Sequence, residues 1–140
     1  LYLTNRISVA QKYAKGSRAV YVVDVVLDEK KELSEVEIDI DEAMRFVNKS
    51  VKSSKRQETI EWLHKSLSRS GKLFGHVLVN LCLNGNAISS PNTVELRRFL
   101  ISQGIQYAHV TNWGWGNGDS QVYVIFDPNV ILSIKRNIAQ

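Results

Sequence analysis

The order of strand-forming and helix-forming segments constrains this fold more than any other feature of the sequence. Runs of β-branched and aromatic residues predict strands at Arg18 to Leu27, Ile105 to Val110 and Gln121 to Phe126. Segments with apolar residues at helical spacing separate the first of these strands from the other two. Because strands and helices do not alternate regularly, a doubly wound parallel sheet is disfavoured. We predict an α+β fold, with a mixed or antiparallel sheet and helices packed beside it.

The helices themselves are placed by apolar periodicity, capping residues and helix-stopping glycines. Leu73 to Leu83 is an apolar run for which periodicity alone leaves strand and helix open, and we favour a helix. A short strand is also considered at Val36 to Ile40. The predicted helices are Asn5 or Ser8 to Ala14, Asp41 to Val51, a segment around Ile60 to Leu67, Leu73 to Leu83, Pro91 to Gly104, and Pro128 to Ile138.

The composition is that of an ordinary globular protein with a single core. The chain has 140 residues, of which 44% are apolar and 23% charged. No apolar run approaches the ~20 residues that a membrane helix requires. Polar residues interrupt Leu1 to Lys15, so we do not interpret it as a signal peptide. We expect no membrane partner, and a location in the cytoplasm or delivery into the cytoplasm of a host or target cell.

The positive charge of the chain is only mildly in excess, at +4. A nucleic-acid binder normally gathers its positive charge in one patch or stripe. The densest basic run, Lys49 to Arg56, is interpreted as a helix end plus linker, with phosphate binding as the lesser alternative. The sequence therefore disfavours a nucleic-acid partner.

Metal and thiol chemistry are also disfavoured. Cys82 is the single cysteine and is expected to be a small buried residue. His64, His76 and His109 have neither the spacing of metal ligands nor a pairing with Cys82. We predict no metal site and no thiol protease.

Two segments together suggest a family. Leu1 to Ala14 (LYLTNRISVAQKYA) has a strand ending in Thr that leads into a helix carrying Ala and Tyr. Leu100 to Ile134 has a helix, a Gly-aromatic turn, a strand, a variable loop, and a strand ending in FDP before a short final helix. In order and spacing these pieces resemble the ADP-ribosyltransferase superfamily, in its phage, bacterial toxin-like and poly(ADP-ribose) polymerase-like branch.

The resemblance covers nearly the whole chain and implies a fold, a ligand and a set of site residues. It implies one domain over residues 1–140, with a split sheet around a cleft that grips NAD, and a first strand and helix upstream of Leu1. Tyr13 matches the family tyrosine that stacks on the nicotinamide ring, and Thr4 and Ala10 fall at neighbouring NAD-binding positions. Val122 stands where the family has its catalytic glutamate.

The chemistry explains why a residue at position 122 matters. Breaking the bond between nicotinamide and ribose produces an oxocarbenium-like sugar, which a carboxylate stabilises. Val122 cannot supply that charge. Two other groups could stabilise the ribose cation: a carboxylate of the incoming substrate, or Asp119 from the neighbouring loop. Without the family pattern, Tyr13 is an ordinary core or half-buried surface residue of a short amphipathic helix, and Val122 is an ordinary core residue of an apolar strand.

The loop from Asn112 to Ser120 (NWGWGNGDS) combines three glycines with two tryptophans. Large aromatic residues in such a segment are costly unless they pack or bind. The resemblance assigns this loop to the protein substrate, through Trp113, Trp115, Asp119 and Gln121, with packing over the cleft as the equal alternative.

Three functions follow from these observations. The first is an NAD-dependent mono-ADP-ribosyltransferase of phage or bacterial effector or toxin type, a glycosyltransferase that modifies a protein side chain. The alternative is a non-catalytic module of the same fold that binds a protein or ADP-ribose, which Val122 favours. A basic RNA- or DNA-binding domain rests on net charge alone.

Overall fold

A computed structural model describes residues 1–5, 10–11, 19–111 and 121–136 of the chain. Over these residues the protein is an α+β structure of helices and small antiparallel sheets. The chain divides into two compact units. The sheet unit comprises Leu1–Glu29 with Gln106–Gln140, and the helical unit comprises Lys30–Ile105. No helix in the described ranges is long and apolar enough to cross a membrane.

The described part of the sheet unit contains two small sheets. Its strands are β1 (Tyr2–Thr4), β2 (Tyr21–Val25), β3 (Tyr107–Thr111), β4 (Gln121–Ile125) and β5 (Ile131–Arg136). β4 lies between β1 and β3 in a three-stranded antiparallel sheet, and β2 pairs antiparallel with β5 in a second sheet. The three predicted strands thus form. β2 and β5 form a sheet separate from that of β1, β3 and β4, so the described strands do not make one continuous sheet.

β5 replaces most of the helix predicted from Pro128 to Ile138. Pro128–Val130 forms a single 3-10 turn, and the Asp127 carboxylate accepts a hydrogen bond from the backbone N–H of Asn129 at 3.0 Å. The chain then extends, because Ile131 and Ile134 are β-branched and β2 supplies backbone hydrogen-bond partners. The Asp-Pro pair does start a helical turn, but the turn does not propagate.

One face of the three-stranded sheet carries the apolar core of the sheet unit. Tyr107 and Ile125 are cross-strand partners in β3 and β4, and Val130 completes the buried cluster with them. Burying a side chain of this size stabilises a fold by about 1.5–3 kcal/mol. Partly buried neighbours extend the cluster, namely Leu3, Leu27, Tyr123 and Ile131. The cluster fixes the position of β4 against both of its neighbours.

The helical unit contains α1 (Ile40–Ser50), α2 (Ser53–Ser70), α3 (Gly75–Leu83) and α4 (Thr93–Ser102). α1 begins earlier than predicted, because Asp39 rather than Asp41 is its N-cap and accepts from the Glu42 N–H at 3.1 Å. The strand considered at Val36 to Ile40 reduces to one bridge between Glu37 and Phe74. The apolar run from Leu73 resolves into α3, so the preference for a helix there is confirmed.

The four helices surround an apolar core of their own. Leu63 of α2, Leu78 of α3 and Leu100 of α4 are almost fully buried. Gly71 ends α2 with φ +77°, a left-handed conformation that glycine adopts without a Cβ penalty. Each helix therefore supplies one apolar face, as its sequence periodicity indicates.

Candidate functional site

The first strand and the fourth strand meet at the end of the sheet where the chain leaves β1. Thr4 lies directly opposite Val122 in the β1–β4 ladder. Beyond them, the Asn5 backbone N–H donates to the Gln121 carbonyl at 3.3 Å. Thr4 and Val122, two site positions predicted from opposite ends of the chain, are thereby adjacent in space.

Side chains at this end of the sheet divide between its two faces. Residues that oppose one another across antiparallel strands share a face, and successive residues alternate. Val122 therefore shares a face with Thr4 and Val110, whereas Tyr123 shares the other face with His109. Val122 is only 4% exposed, while Thr4 and Val110 are half-buried. The position expected to carry the catalytic glutamate is thus an apolar, buried one.

The opposite face carries a polar cluster that we call the polar sheet end, formed by Asn5, His109, Gln121 and Tyr123. The His109 ring stacks on the Tyr123 ring, with centroids 4.7 Å apart and planes inclined by 2°. His109 Nε2 is hydrogen-bonded to the side-chain oxygen of Gln121. The Gln121 N–H donates to the Asn5 side-chain oxygen at 3.1 Å. These contacts link three strands, β3, β4 and β1.

The chemistry available at the polar sheet end is hydrogen bonding and aromatic stacking. The Gln121 oxygen is engaged with His109, so the amide nitrogen of that side chain is the group that offers N–H donors to a further ligand. His109 is exposed and Gln121 half-buried. None of the described residues that end β1 and β3 or begin β4 is acidic. The described residues at this end of the sheet can orient a ligand oxygen, but none of them carries a carboxylate that could stabilise a cation.

Several predicted site residues lie outside the described residues, namely Tyr13, Trp113, Trp115 and Asp119. Ala10 is described and is helical and half-buried. Thr4, Gln121 and Val122 are the predicted positions that the structure brings together. The two segments that hold the other predicted residues both adjoin this group in sequence, at Asn5 and at Gln121.

Sequence analysis did not select His109, Tyr123 or Asn5. The histidines were tested only for metal and thiol chemistry, for which their spacing is wrong. The stack of His109 on Tyr123 depends on the register of β3 against β4, which pairs these two positions. The sequence does show a histidine and an aromatic residue on neighbouring predicted strands. These two residues indicate a ring stack only when the register of β3 against β4 is known.

Other reactive groups of the described chain do not form a second centre. Cys82 is 1% exposed, and burial raises the pKa of its thiol to about 12, so it is protonated and unreactive at neutral pH. Within the described ranges, no three His, Cys, Asp or Glu side chains are grouped to hold a metal ion. The polar sheet end is therefore the candidate site that the described side chains define.

Comparisons of the chain with family models, curated proteins and solved structures find no match. The structure establishes an α+β protein with small antiparallel sheets. Membership of the ADP-ribosyltransferase superfamily stays a prediction. The residues that bear on function are those at the end of the three-stranded sheet and in the segments that adjoin it in sequence.

Proposed function

We propose that the chain is an NAD-dependent mono-ADP-ribosyltransferase module, of phage or bacterial effector type, that modifies a protein side chain. The observation that carries the proposal is the pairing of Thr4 with Val122. These residues belong to the two segments whose order and spacing resemble the family, and the family requires those segments to meet at one ligand site.

Chain connectivity supports the same site. β1 ends at Thr4, and the segment that follows Asn5 contains Tyr13, the residue proposed to stack on nicotinamide. β3 ends at Thr111 and β4 starts at Gln121, so the intervening loop with its two tryptophans starts and ends at this same end of the sheet. Nicotinamide stacking and substrate contact are thereby proposed for neighbouring segments.

The proposed reaction needs a fixed nicotinamide and a stabilised ribose cation. The nicotinamide leaves as a neutral group, so little acid catalysis is required, and stacking on an aromatic ring serves to orient it. Gln121 can orient an oxygen of the substrate through its amide N–H groups, held by its bond to His109. Charge stabilisation is assigned to a carboxylate of the incoming substrate or to Asp119.

The second candidate is a non-catalytic module of the same kind that binds a protein or ADP-ribose. The burial of Val122 favours it, because no carboxylate occupies the family's catalytic position and the site gives an apolar contact there. The transferase and the ADP-ribose-binding form of the second candidate both predict binding of a nucleotide. They differ in turnover, since the enzyme releases nicotinamide and the binding module does not.

The test is calorimetric titration of the protein with NAD and with ADP-ribose, combined with an assay of nicotinamide release. Tyr13→Ala should weaken NAD binding several-fold, because offset stacking contributes about 0.5–1.5 kcal/mol beyond area burial. Tyr21→Ala is the matched control, since Tyr21 is a 55%-exposed tyrosine on β2.

Each outcome has a distinct meaning. NAD binding that depends on Tyr13, together with nicotinamide release in the presence of acceptor protein, supports the transferase. Binding that depends on Tyr13 without release supports the binding module. Equal affinity of the wild type, Tyr13→Ala and Tyr21→Ala for NAD and for ADP-ribose, or no affinity for either, contradicts the transferase and the ADP-ribose-binding module and leaves only a module that binds a protein.

A further inference from the structure

The densest basic run of the sequence, Lys49 to Arg56, is largely occupied by contacts within the helical unit. Lys52 Nζ donates to the Asn86 carbonyl at 3.2 Å, and Lys55 Nζ lies 3.7 Å from a Glu58 carboxylate oxygen. Arg56 Nε donates to the Val51 carbonyl at 3.0 Å. Three of the four basic side chains in this run therefore cap or brace their own structure. The run is a poor site for a ligand phosphate.

In the second half of α2, by contrast, an aromatic side chain and basic side chains are exposed. Trp62, Lys65 and Arg69 fall within about 60° of one another around the helix, since each residue turns the helix by about 100°. Lys72 follows directly after the helix ends. We call these four residues the α2 stripe. Trp62 is 44% exposed, the three basic residues are exposed, and Lys65 Nζ lies 4.7 Å from the centre of the Trp62 ring.

Acidic residues offset only a small part of the positive charge of the α2 stripe. No Asp or Glu occurs in the sequence between Glu61 and Glu95. Glu58, one turn before Trp62 on the same side of the helix, is paired with Lys55, and Glu61 accepts from the Gln57 side chain at 3.1 Å. Arg69 and Lys72 have no acidic partner among the described residues. Glu61 stands four residues before Lys65, so the uncompensated positive charge near the exposed Trp62 ring is that of Arg69 and Lys72.

We propose that the α2 stripe binds single-stranded nucleic acid. Lys65, Arg69 and Lys72 offer charge complementarity to successive phosphates, and Trp62 offers a ring on which an unpaired base stacks, the combination that single-strand binders use. An acidic protein surface is the competing partner, because Trp and Arg are enriched at protein interfaces although Lys is depleted there, and the experiment below separates the two. All four residues of the stripe belong to the helical unit, whereas the residues of the proposed NAD site belong to the sheet unit.

The experiment measures binding of the full chain to a labelled oligothymidylate of about 15 nucleotides, within the usual site sizes, by fluorescence anisotropy over a range of salt concentrations. Three phosphate contacts predict a slope of log Kobs against log salt of about −2, at about 0.7 for each contact on a single strand. Arg69→Ala should make that slope shallower by about 0.7. Trp62→Leu should weaken binding about fivefold or more, whereas Trp62→Phe should retain most of it.

Arg98→Ala is the matched control for charge, because it removes one arginine that is already paired with Glu95 at 2.9 Å on α4. It should leave affinity and slope nearly unchanged. Circular dichroism melting verifies that each variant is folded. Absence of binding at low salt overturns the proposal, as does equal binding by wild type, Trp62→Leu and Arg69→Ala. Heparin or poly-L-glutamate binding more tightly than the oligonucleotide, with the same dependence on Trp62 and Arg69, also overturns it and assigns the stripe to an acidic partner of another class.

Discussion

The His109 imidazole and the Tyr123 phenol lie parallel, 4.7 Å apart, on directly opposed positions of β3 and β4. Cross-strand pairs of this kind are the units that stabilise an antiparallel ladder. The pair lies two residues before the end of β3 and two residues after the start of β4. It therefore holds together the end of the hairpin from which the tryptophan-containing loop extends in sequence.

His109→Ala should lower the free energy of unfolding by about 0.5–1.5 kcal/mol, because it removes the ring stack and the hydrogen bond to Gln121. Urea denaturation at neutral pH measures this change. His64→Ala is the control, since His64 is an exposed residue of α2 and its removal should change stability by less than about 0.5 kcal/mol. Equal losses for the two variants would show that the stack contributes nothing.

Val122→Glu should destabilise the protein, because Val122 is 4% exposed. Burial penalises the charged form of a carboxyl introduced there and raises its pKa above the usual value of about 4.3. With the folded-state pKa above the unfolded one, the cost is smallest below about pH 4, where the carboxyl is protonated in both states, and grows as the pH rises. At pH 7 we expect a loss greater than about 3 kcal/mol.

Thermal melting of Val122→Glu between pH 4 and pH 8 tests this prediction, with Val122→Gln as the neutral variant of similar size. Val122→Gln should lose stability to the same extent across that range. If Val122→Glu melts like the wild type at pH 8 and releases nicotinamide faster from NAD, position 122 lines a cleft and is not a core position.

Cys82 should make the protein less stable at alkaline pH. Its thiol pKa rises from 9.0 to about 12 because burial disfavours the thiolate. The folded-state pKa exceeds the unfolded one, so this contribution to stability is complete below pH 9 and is lost as the pH rises from about 9 to 12. The slope is about 1.4 kcal/mol per pH unit for one proton.

Comparison of wild type with Cys82→Ala isolates this effect, because lysines and tyrosines titrate equally in both proteins. The stability difference between them should shrink as the pH is raised from 8 to 10.5. A thiol reagent at pH 8 should modify Cys82 only after denaturant is added. Rapid modification of the native protein would contradict the buried, protonated thiol.

Gly75→Ala should destabilise the helical unit even though alanine favours helices. A Cβ at this position would lie 2.7 Å from the Ile105 Cδ1 atom and 3.1 Å from the Leu33 carbonyl oxygen. Overpacking of this kind costs about 1–3 kcal/mol. Gly71→Ala provides the comparison, because there the Cβ meets nothing within 4 Å and the penalty of about 1 kcal/mol comes from φ +77° alone. A melting temperature for Gly75→Ala above that of wild type would contradict the packing.

The sequence was sufficient to predict elements with one dominant local preference. The β-branched runs gave β2, β3 and β4, and helical apolar spacing gave α1, α2 and α4. The helix predicted from Pro128 was wrong beyond its first turn. Asp127-Pro128 does begin a helical turn, but the residues after it pair with β2 and form β5. Asp39 and Asp41 are both suitable N-cap residues for α1. Asp39 is the N-cap because its backbone is extended and its side chain accepts from the Glu42 N–H.

The candidate site was harder to predict, because its neighbours are set by strand register. Thr4 and Val122 were selected through the family resemblance, and the sequence contained no local indication that they are directly opposed. The link of His109 to Gln121 similarly requires β3 and β4 to pair with Thr111 opposite Gln121. Side-chain chemistry was visible in the sequence, whereas the faces on which those side chains lie were not.

The pairing of β1 with β4 also imposes an order on how the protein is made. The Leu1 nitrogen donates to the carbonyl of Ile125, 124 positions later, so β1 has no strand partner until β4 has been synthesised. β2 likewise waits for β5. The helical unit is compact by itself and ends at Ile105, before β3 and β4 begin, so it can fold during that interval. Closure of the two sheets is thus expected to follow the folding of the helical unit and to be the slower step, because the paired strands are far apart in sequence.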